Sequence, residues 1–368
     1  MMSSTRVKPT HITPERQVKL SLTWLSVILA LIAMLLINTV AAEPELLNKI
    51  PPGAVAQVAL HHLPILKGIV PLPSGLTEPL DSIIWEIRMP RAFGGLLIGM
   101  MLGIAGVAFQ SLLGNPLADP YTTGVASGSA LGALLLGTFA STFASAYGGF
   151  ALTGAAFASG MLAVTIVYTL ARVNGRVSAQ TFLLAGTIVG SFFFALVPLL
   201  LSWTSRNNPE QRTQLLSTLF GSLNNIDWAR CGMLSCFCAL GLLWLWKSAS
   251  ELDIMALGEE SAAHLGVDTE AFKRHVIVVA ALLTAATVAV AGIIAFVGFL
   301  VPHGARRLVG SNHRGLVPMA ALLGGLMVML ADCLSRVVLH DLEIGVITSL
   351  LGVPFFCLLM RREMMSRR

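Results

Sequence analysis

Charged residues are scarce in this sequence, and their scarcity argues against an ordinary soluble domain. Only 12% of the 368 residues are Asp, Glu, Lys or Arg, while 55% are hydrophobic and the mean hydropathy is +0.78. Soluble domains usually carry about a quarter charged residues. The composition therefore predicts an all-α polytopic membrane protein with roughly ten spans of about 20 residues each. With short loops these spans fill residues 1–368, so we expect a single transmembrane domain.

Motifs for hydrolytic chemistry are also missing. The sequence contains no HExxH, no Walker A pattern and no GxSxG, which argues against zinc hydrolysis, nucleotide hydrolysis and an esterase-type serine. We therefore expect no catalytic residues, bound metal or cofactor in this chain. If the protein uses ATP and Mg²⁺, another chain binds them.

Cysteine and basic residues do not point to a further function. Metal or disulfide chemistry would favour paired cysteines, but the five cysteines form no CxxC pair, so we interpret them as small buried apolar side chains. The net charge of +5 comes from basic residues scattered at segment ends, without aromatic residues between them. We predict no nucleic-acid binding, and membrane topology accounts better for this charge.

Apolar runs divide the chain into ten predicted spans. The first follows a polar tail, 1–19, and is longer than the 7–15 residues of a signal-peptide core, which is the competing interpretation. A proline-rich loop, 43–87, precedes the second span, which we expect to begin near Pro90 as a first helical residue. The predicted spans are 20–42, 90–113, 122–143, 149–171, 179–203, 228–246, 274–295, 296–308, 316–338 and 344–360.

The distribution of basic residues predicts the orientation of these spans. If the N-terminus is cytoplasmic, 16 of the 24 lysines and arginines lie on the cytoplasmic side, as the positive-inside rule requires. Both termini are then cytoplasmic, and loop 43–87 is external. The polar segment 248–270 is cytoplasmic, with apolar residues spaced as in one or two short amphipathic helices.

Glycines recur at every fourth residue in the second and third spans. A glycine costs about 1 kcal/mol against alanine in a water-exposed helix, whereas in a bilayer small residues allow close helix packing. We therefore predict close helix packing in the centre of a helical bundle at Gly95, Gly99, Gly103, Gly124, Gly128, Gly132, Gly186, Gly190, Gly345 and Gly352.

Arginines at helix ends have two interpretations. Arg88 and Arg91 flank Pro90 at a helix start, where the dipole disfavours cations, so they indicate either an external acidic partner or interfacial snorkelling. Arg336 follows Asp332 by four residues, which permits an intrahelical ion pair. Alternatively, Arg336 joins the other two arginines on the outer surface.

Other polar residues are weaker candidates. Gln110, Asn115 and His303 lie near the ends of apolar spans, and intramembrane polar residues are candidate functional sites. In the cytoplasmic segment, Gly258 and Gly266 each end a short helix. That helix–turn–helix is either a solvated connector or a surface that docks into a partner protein.

Six ordered motifs resemble those of the FecCD-type permeases, the membrane subunits of binding-protein-dependent ABC importers for ferric siderophores, haem and cobalamin. The resemblance covers about residues 20–360. The motifs are RMPR (88–91), GNPLADPYTTGVASGSALGA (114–133), ALGEESAAHLGV (256–267), GFLVPHGARRLVGSNHRGLVP (298–318), ADCLSR (331–336) and EIGVITSLLGVPFF (343–356).

The resemblance implies an architecture and a set of partners. Family members have ten transmembrane helices, with helices 2–5 and 7–10 related as an inverted repeat. They work in the inner membrane as a homodimer or heterodimer of permeases with two ATPase subunits. A periplasmic or lipid-anchored substrate-binding protein delivers the cargo.

Site residues follow from the motifs that match. Arg88, Arg91 and Arg336 match arginines that dock the binding protein in the cobalamin-importer relatives. ALGEESAAHLGV matches the helices that couple to the ATPase, and the resemblance implies ATPase contacts at Leu257, Gly258, Glu259, Glu260, Ala263, Leu265 and Gly266.

The cargo and the energy source have alternatives. We expect a ferric siderophore, with cobalamin and haem as alternatives, carried by alternating access. An ion-coupled secondary transporter would need intramembrane acids or bases, of which the spans offer few beyond Asp332.

Overall fold

The computed structural model describes residues 14–40, 57–58, 60–62, 81–139, 149–207, 219–339 and 342–366. The predicted tail before residue 14 and most of the predicted outer loop lie outside these residues. The described part is almost entirely helical, as predicted, with one two-stranded hairpin.

Twelve α-helices follow one another along the described residues. They are α1 (Pro14–Val40), α2 (Met89–Leu112), α3 (Val125–Phe139), α4 (Gly149–Ala171), α5 (Ala179–Asn207), α6 (Trp228–Lys247), α7 (Ala249–Met255), α8 (Glu259–His264), α9 (Thr269–Ala291), α10 (Val297–Val309), α11 (His313–Val337) and α12 (Ile344–Ser366).

Seven segments in the described residues are long and apolar enough to cross a membrane. They belong to α1, α2, α4, α5, α6, α9 and α11, while α3 and the apolar part of α12 are shorter. Each predicted span overlaps a helix, and α4 begins and ends at the predicted residues. That all ten cross the bilayer stays a prediction.

Helix α2 begins at Met89, within one residue of the predicted start near Pro90, but the helical segment itself begins earlier. A π-helical stretch, Ile83–Arg88, runs without a break into α2, so Pro90 lies inside a continuous helix rather than at its first residue. Proline cannot donate a backbone hydrogen bond, and π-helical turns accommodate such interruptions. Residues 81–87, assigned to the outer loop from sequence, are therefore helical.

A short hairpin joins α4 to α5 and was not predicted. Strands β1 (Arg172–Val173) and β2 (Arg176–Val177) pair in an antiparallel arrangement. Asn174 and Gly175 form the turn with φ of 52° and 83°, as two-residue hairpins require. The sequence Asn-Gly is a strong signal for this turn.

The interpretation of the cysteines as buried holds for part of the set. Cys231 and Cys238 are buried and Cys333 is partly buried, but Cys236 and Cys357 are exposed on the surface of the isolated chain. All five are free thiols.

Helix α2 lies at the centre of the bundle, with α6, α9, α10 and α11 around it. Its residues are buried along nearly the whole length. The closest approach is to α11, where a Cβ atom on Gly99 would overlap the backbone carbonyl of Gly324, and one on Gly103 would overlap that of Ala320. The two helices therefore meet backbone to backbone.

The other glycines singled out from sequence also lie at helix contacts. Gly128 and Gly132 of α3 face α4, and Gly186 of α5 faces the backbone of Thr122. A Cβ atom added at Gly95 would overlap a methyl group of Leu223. One added at Gly345 would overlap the backbone of Ile293 and Phe220, and one added at Gly352 would overlap the ring of Phe296. Gly124 and Gly190 face each other at ordinary contact distance.

We predict that Gly99→Ala destabilises the protein, whereas Gly154→Ala does not. The new methyl at position 99 has no room against Gly324, and overpacking costs about 1–3 kcal/mol. Gly154 lies in α4, and a Cβ there has no neighbour within 4 Å. Melting temperature in detergent and the amount of protein in the membrane would measure the difference. Equal stability of the two variants would refute close packing at Gly99.

Candidate functional site

Two arginines share one buried carboxylate at the junction of α2 and α11. The side chain of Asp332 is 1% exposed. Arg91 donates to its Oδ1 from Nε at 2.9 Å and from Nη2 at 2.8 Å, and Arg336 Nη2 lies 2.8 Å from its Oδ2. Arg336 therefore forms the intrahelical ion pair that its spacing allows, and Arg91 joins that pair from another helix.

Further hydrogen bonds fix these arginines to neighbouring segments. Arg336 Nη2 donates to the backbone and side-chain oxygens of Asn38 at the end of α1, at 2.9 and 2.5 Å. Arg91 Nη1 donates to Asn224 Oδ1 at 2.6 Å, and Arg88 Nη1 lies 3.4 Å from the carbonyl oxygen of Thr39. We call Arg88, Arg91, Asp332 and Arg336 the arginine cluster.

The arginine cluster is largely enclosed within the isolated chain. The side chains of Arg91 and Arg336 are 14% and 6% exposed, and Arg88 is 6% exposed. The structure thus brings the three arginines to one end of the bundle, as proposed for a docking surface. It also gives them internal partners, which the spacing in the sequence did not reveal for Arg91.

The opposite end of α11 carries the segment formed by α7, α8 and the turns that follow them, residues 249–266. Ala249, Leu252, Met255 and Ala262 face inward and are buried. Every residue predicted to contact an ATPase is exposed: Leu257, Gly258, Glu259, Glu260, Ala263, Leu265 and Gly266.

Two leucines make this surface unusual for a polar segment. Leu257 and Leu265 are 67% and 62% exposed, each in a turn after a short helix. Gly258 and Gly266 follow them with φ of 106° and 88°, in the region that favours glycine. The turns thus leave two large apolar side chains exposed on the surface of the described residues.

A buried lysine ties this surface to the body of the protein. Lys273 of α9 is 4% exposed, and its Nζ lies 2.5 Å from Glu259 and 3.0 Å from Glu270. It also donates to the carbonyl oxygen of Val177 at 3.0 Å, and Glu270 accepts from the backbone N–H of Val177. Glu259 is therefore exposed but engaged, and the hairpin is part of this end. The sequence alone gives no signal for the role of Lys273.

The polar residues near span ends have structural partners. Gln110 is buried, and its Nε2 lies 3.2–3.4 Å from the carbonyl oxygens of Ala118, Gly298 and Phe299. Its Oε1 accepts from Arg306 Nη1 at 2.5 Å. Gln110 therefore joins α2, the turn that follows it and α10.

Asn115 and His303 do not meet at a common site with Gln110. Asn115 Oδ1 accepts from the backbone N–H of Leu117 at 2.9 Å and shapes the turn after α2. The ring of His303 packs edge-on near Phe355, with centroids 6.1 Å apart.

Comparison with known proteins identifies relatives over most of the chain. The model of the FecCD transport family matches residues 47–362. An uncharacterized ABC transporter permease protein of Bacillus subtilis, YvrB, is 38% identical, covering 78% of this chain and 82% of the relative. The cobalamin import system permease protein BtuC of Halobacterium salinarum is 34% identical, covering 90% and 93%.

A solved structure resembles the fold. A metal-chelate type ABC transporter in an inward-facing conformation superposes with a TM-score of 0.76 at 25% identity, covering 93% of this chain and 99% of the other. The hemin transport system permease protein HmuU of Yersinia pestis is 34% identical, covering 77% of this chain and 85% of that protein.

We predict that Asp332→Ala destabilises the protein by about 3–5 kcal/mol, the usual cost of removing one partner of a buried ion pair. The variant leaves two enclosed guanidinium groups facing each other. Asp332→Asn keeps an oxygen acceptor and should lose less, and Glu260→Ala, at an exposed carboxylate, should change little. Thermal unfolding in detergent measures all three. A wild-type melting temperature for Asp332→Ala would contradict the structural role of this carboxylate.

Proposed function

The chain belongs to the FecCD transport family, and we propose that it forms the membrane pathway of an ATP-driven importer for ferric siderophores. It is a permease subunit of the metal-chelate class of ABC importers and not an enzyme. Within that class, hydroxamate, haem and cobalamin permeases are similar to this chain at the same 34% identity. The siderophore assignment is therefore our choice among three cargoes.

The exposed surface of the 249–266 segment is the observation that carries the coupling proposal. Leu257 and Leu265 project from turns held in place by buried contacts, and acids flank them. An apolar pair within a polar rim is typical of a protein interface. We propose that an ATPase subunit covers this surface, so that ATP and Mg²⁺ bind on that partner and this chain needs no cofactor.

We propose that the opposite end receives a substrate-binding protein, periplasmic or lipid-anchored. The arginine cluster has more guanidinium groups than carboxylates, which favours an acidic partner. Arg91, the most exposed of the three arginines, is the residue best placed to reach such a partner. Arg88 and Arg336 would contribute through the local positive potential.

The proposed assembly contains two permease chains, identical or not, and two ATPase subunits in the inner membrane. The end of α1 lies beside the end of α11 through Asn38, which donates to the carbonyl oxygen of Met329. These helices therefore run in the same direction, and α12 returns from the arginine cluster. Both termini would then lie on the cytoplasmic side with the 249–266 segment.

Alternating access is the proposed mechanism. ATP-driven closure of the ATPase subunits would move the 249–266 segment, and the permease pair would open on one side and then on the other. The cargo undergoes no covalent change. Ten spans with an inverted repeat of spans 2–5 and 7–10 complete the proposed architecture, and backbone contacts at glycine would let helices shift as packed units.

Uptake into proteoliposomes tests the cargo and the energy source together. Vesicles would contain this chain, its ATPase and its binding protein, and radiolabelled ferric hydroxamate, cobalamin and haem would be offered in turn. We expect ATP-dependent uptake of the ferric hydroxamate that persists when a proton ionophore is present. Uptake of cobalamin or haem instead would replace the siderophore assignment, and uptake driven by a proton gradient without ATP would favour a secondary carrier.

The same vesicles test the docking arginines. Arg91→Gln should lose stimulation of ATP hydrolysis by the binding protein while the basal rate remains. Arg172→Gln is the matched control, because Arg172 is an exposed arginine on the β-hairpin. Undiminished stimulation in Arg91→Gln would return the arginine cluster to a purely structural role.

We predict that Leu257→Ser with Leu265→Ser prevents the ATPase from co-purifying with this chain. Both side chains are exposed, so the change should leave the fold intact and remove only apolar contact area. Val173→Ser is the control, since Val173 is 58% exposed on the neighbouring hairpin. Co-purification at the wild-type level would argue against this surface as the ATPase contact.

A further inference from the structure

Three side chains link α7 to the ends of two long helices. Ser111 Oγ of α2 lies 2.6 Å from Nε2 of His313, the first residue of α11. His313 Nδ1 lies 2.5 Å from Asp253 Oδ1 of α7. We call Ser111, His313 and Asp253 the helix-end link. The three residues are far apart in the sequence, and none of the motifs discussed above accounts for the contact.

Asp253 also caps α11. Its Oδ1 accepts the backbone N–H of His313 at 3.1 Å. The first N–H groups of a helix lack partners within the helix, and its dipole favours a negative charge there. One carboxylate oxygen thus holds both the backbone and the ring of His313, so α7 cannot move away from α11 without breaking two hydrogen bonds.

The chemistry of the ring extends this contact to α2. An ionised carboxylate can only accept, so His313 Nδ1–H donates to Asp253, and the neutral ring then accepts the Ser111 hydroxyl at Nε2. The side chain of His313 is 5% exposed. Hydrogen bonds are stronger in such surroundings than in water, and unpaired groups are costly, so the link should hold α7, α11 and α2 together.

Helices α2 and α11 are then fixed to each other at three levels. The helix-end link joins them at one end, the backbone contact of Gly99 with Gly324 joins them near the middle, and Arg91 with Asp332 joins them at the other end. From His313 to Asp332 the helix rises about 29 Å at 1.5 Å per residue, close to the hydrocarbon thickness of a bilayer.

We infer that the helix-end link is the positioning element through which a displacement of α7 moves α2 and α11 as one unit across the membrane. The inference rests on the proposed coupling of the 249–266 segment to an ATPase. It assigns Asp253, His313 and Ser111 a role in transmission and no contact with the cargo. Ser, His and Asp also form hydrolytic triads. Here, however, the three residues lie at the ends of three different helices that their contact joins, and the chain belongs to a transport family.

A double-mutant cycle tests the link in proteoliposomes that contain the ATPase and the binding protein. Asp253→Ala should still assemble and hydrolyse ATP, while the cargo imported per ATP falls well below the wild-type value, because α7 can then move without α11 and α2. Ser111→Ala should act in the same direction, and the double variant should be no worse than the poorer single variant, because both changes interrupt one link.

Matched variants separate this role from a general loss of structure. Asp253→Asn keeps an oxygen acceptor and should restore most of the imported cargo per ATP. Glu251→Ala should match wild type, because the Glu251 carboxylate bonds to Ser250 within its own helix. Unchanged cargo per ATP in Asp253→Ala, or fully additive losses in the double variant, would overturn the link.

A distance measurement tests the inference without disrupting the link. Spin labels at the exposed positions Ser250 and Arg314 report the separation of α7 and α11. In the assembled wild-type transporter this distance should stay the same with and without bound ATP, because the two helices move together. A change on ATP binding would overturn the link alone, whereas a wild-type protein that assembles with no ATPase would overturn the coupling proposal with it.

Discussion

The backbone contact between α2 and α11 sets the positions of the functional residues. Where Gly99 meets Gly324, neither residue has a side chain to separate the helices. The helices run antiparallel, so residues equally far from this crossing face each other. Arg91 precedes Gly99 by eight residues, and Asp332 follows Gly324 by eight, about 12 Å along each axis. Ser111 and His313 lie twelve and eleven residues away on the other side. One contact therefore aligns both polar ends.

The bilayer explains why this alignment has to be exact in register. Lipid provides no hydrophobic drive to press helices together, and an unpaired charge at membrane depth is expensive. A shift of one residue between α2 and α11 would rotate Arg91 away from Asp332 and leave the enclosed Arg91 guanidinium without that carboxylate, while the pair of Asp332 with Arg336 stays within α11. Close packing at glycine and ion pairing at the end therefore favour the same register of α2 against α11. Each of them makes the other registers unfavourable.

The sequence was informative about individual helices and uninformative about the contacts between them. Hydropathy located a helix in every predicted span and both ends of α4, because those signals are local. It placed the start of α2 within one residue but missed the π-helical stretch before it, which has no clear sequence signature. The Asn174–Gly175 turn had a readable signal. The contacts of Asp253 with His313 and of Lys273 with Glu259 had none, because they depend on how distant helices pack.

The arginine cluster also bears on the source of energy for transport. Asp332 is the acidic residue that is fully buried in the described parts of the chain, and a carrier driven by an ion gradient would need such a group to bind and release an ion. Here Arg91 donates to one carboxylate oxygen, and Arg336 lies 2.8 Å from the other as an ion-pair partner. Breaking either contact would leave a buried charge unpaired. Asp332 is therefore poorly suited to bind a transported ion and well suited to join the two helices. The energy for transport is then supplied from outside the membrane. The exposed leucines lie beside α7, at the end of the bundle where the proposed helix-end link would transmit a movement of the ATPase to α2 and α11.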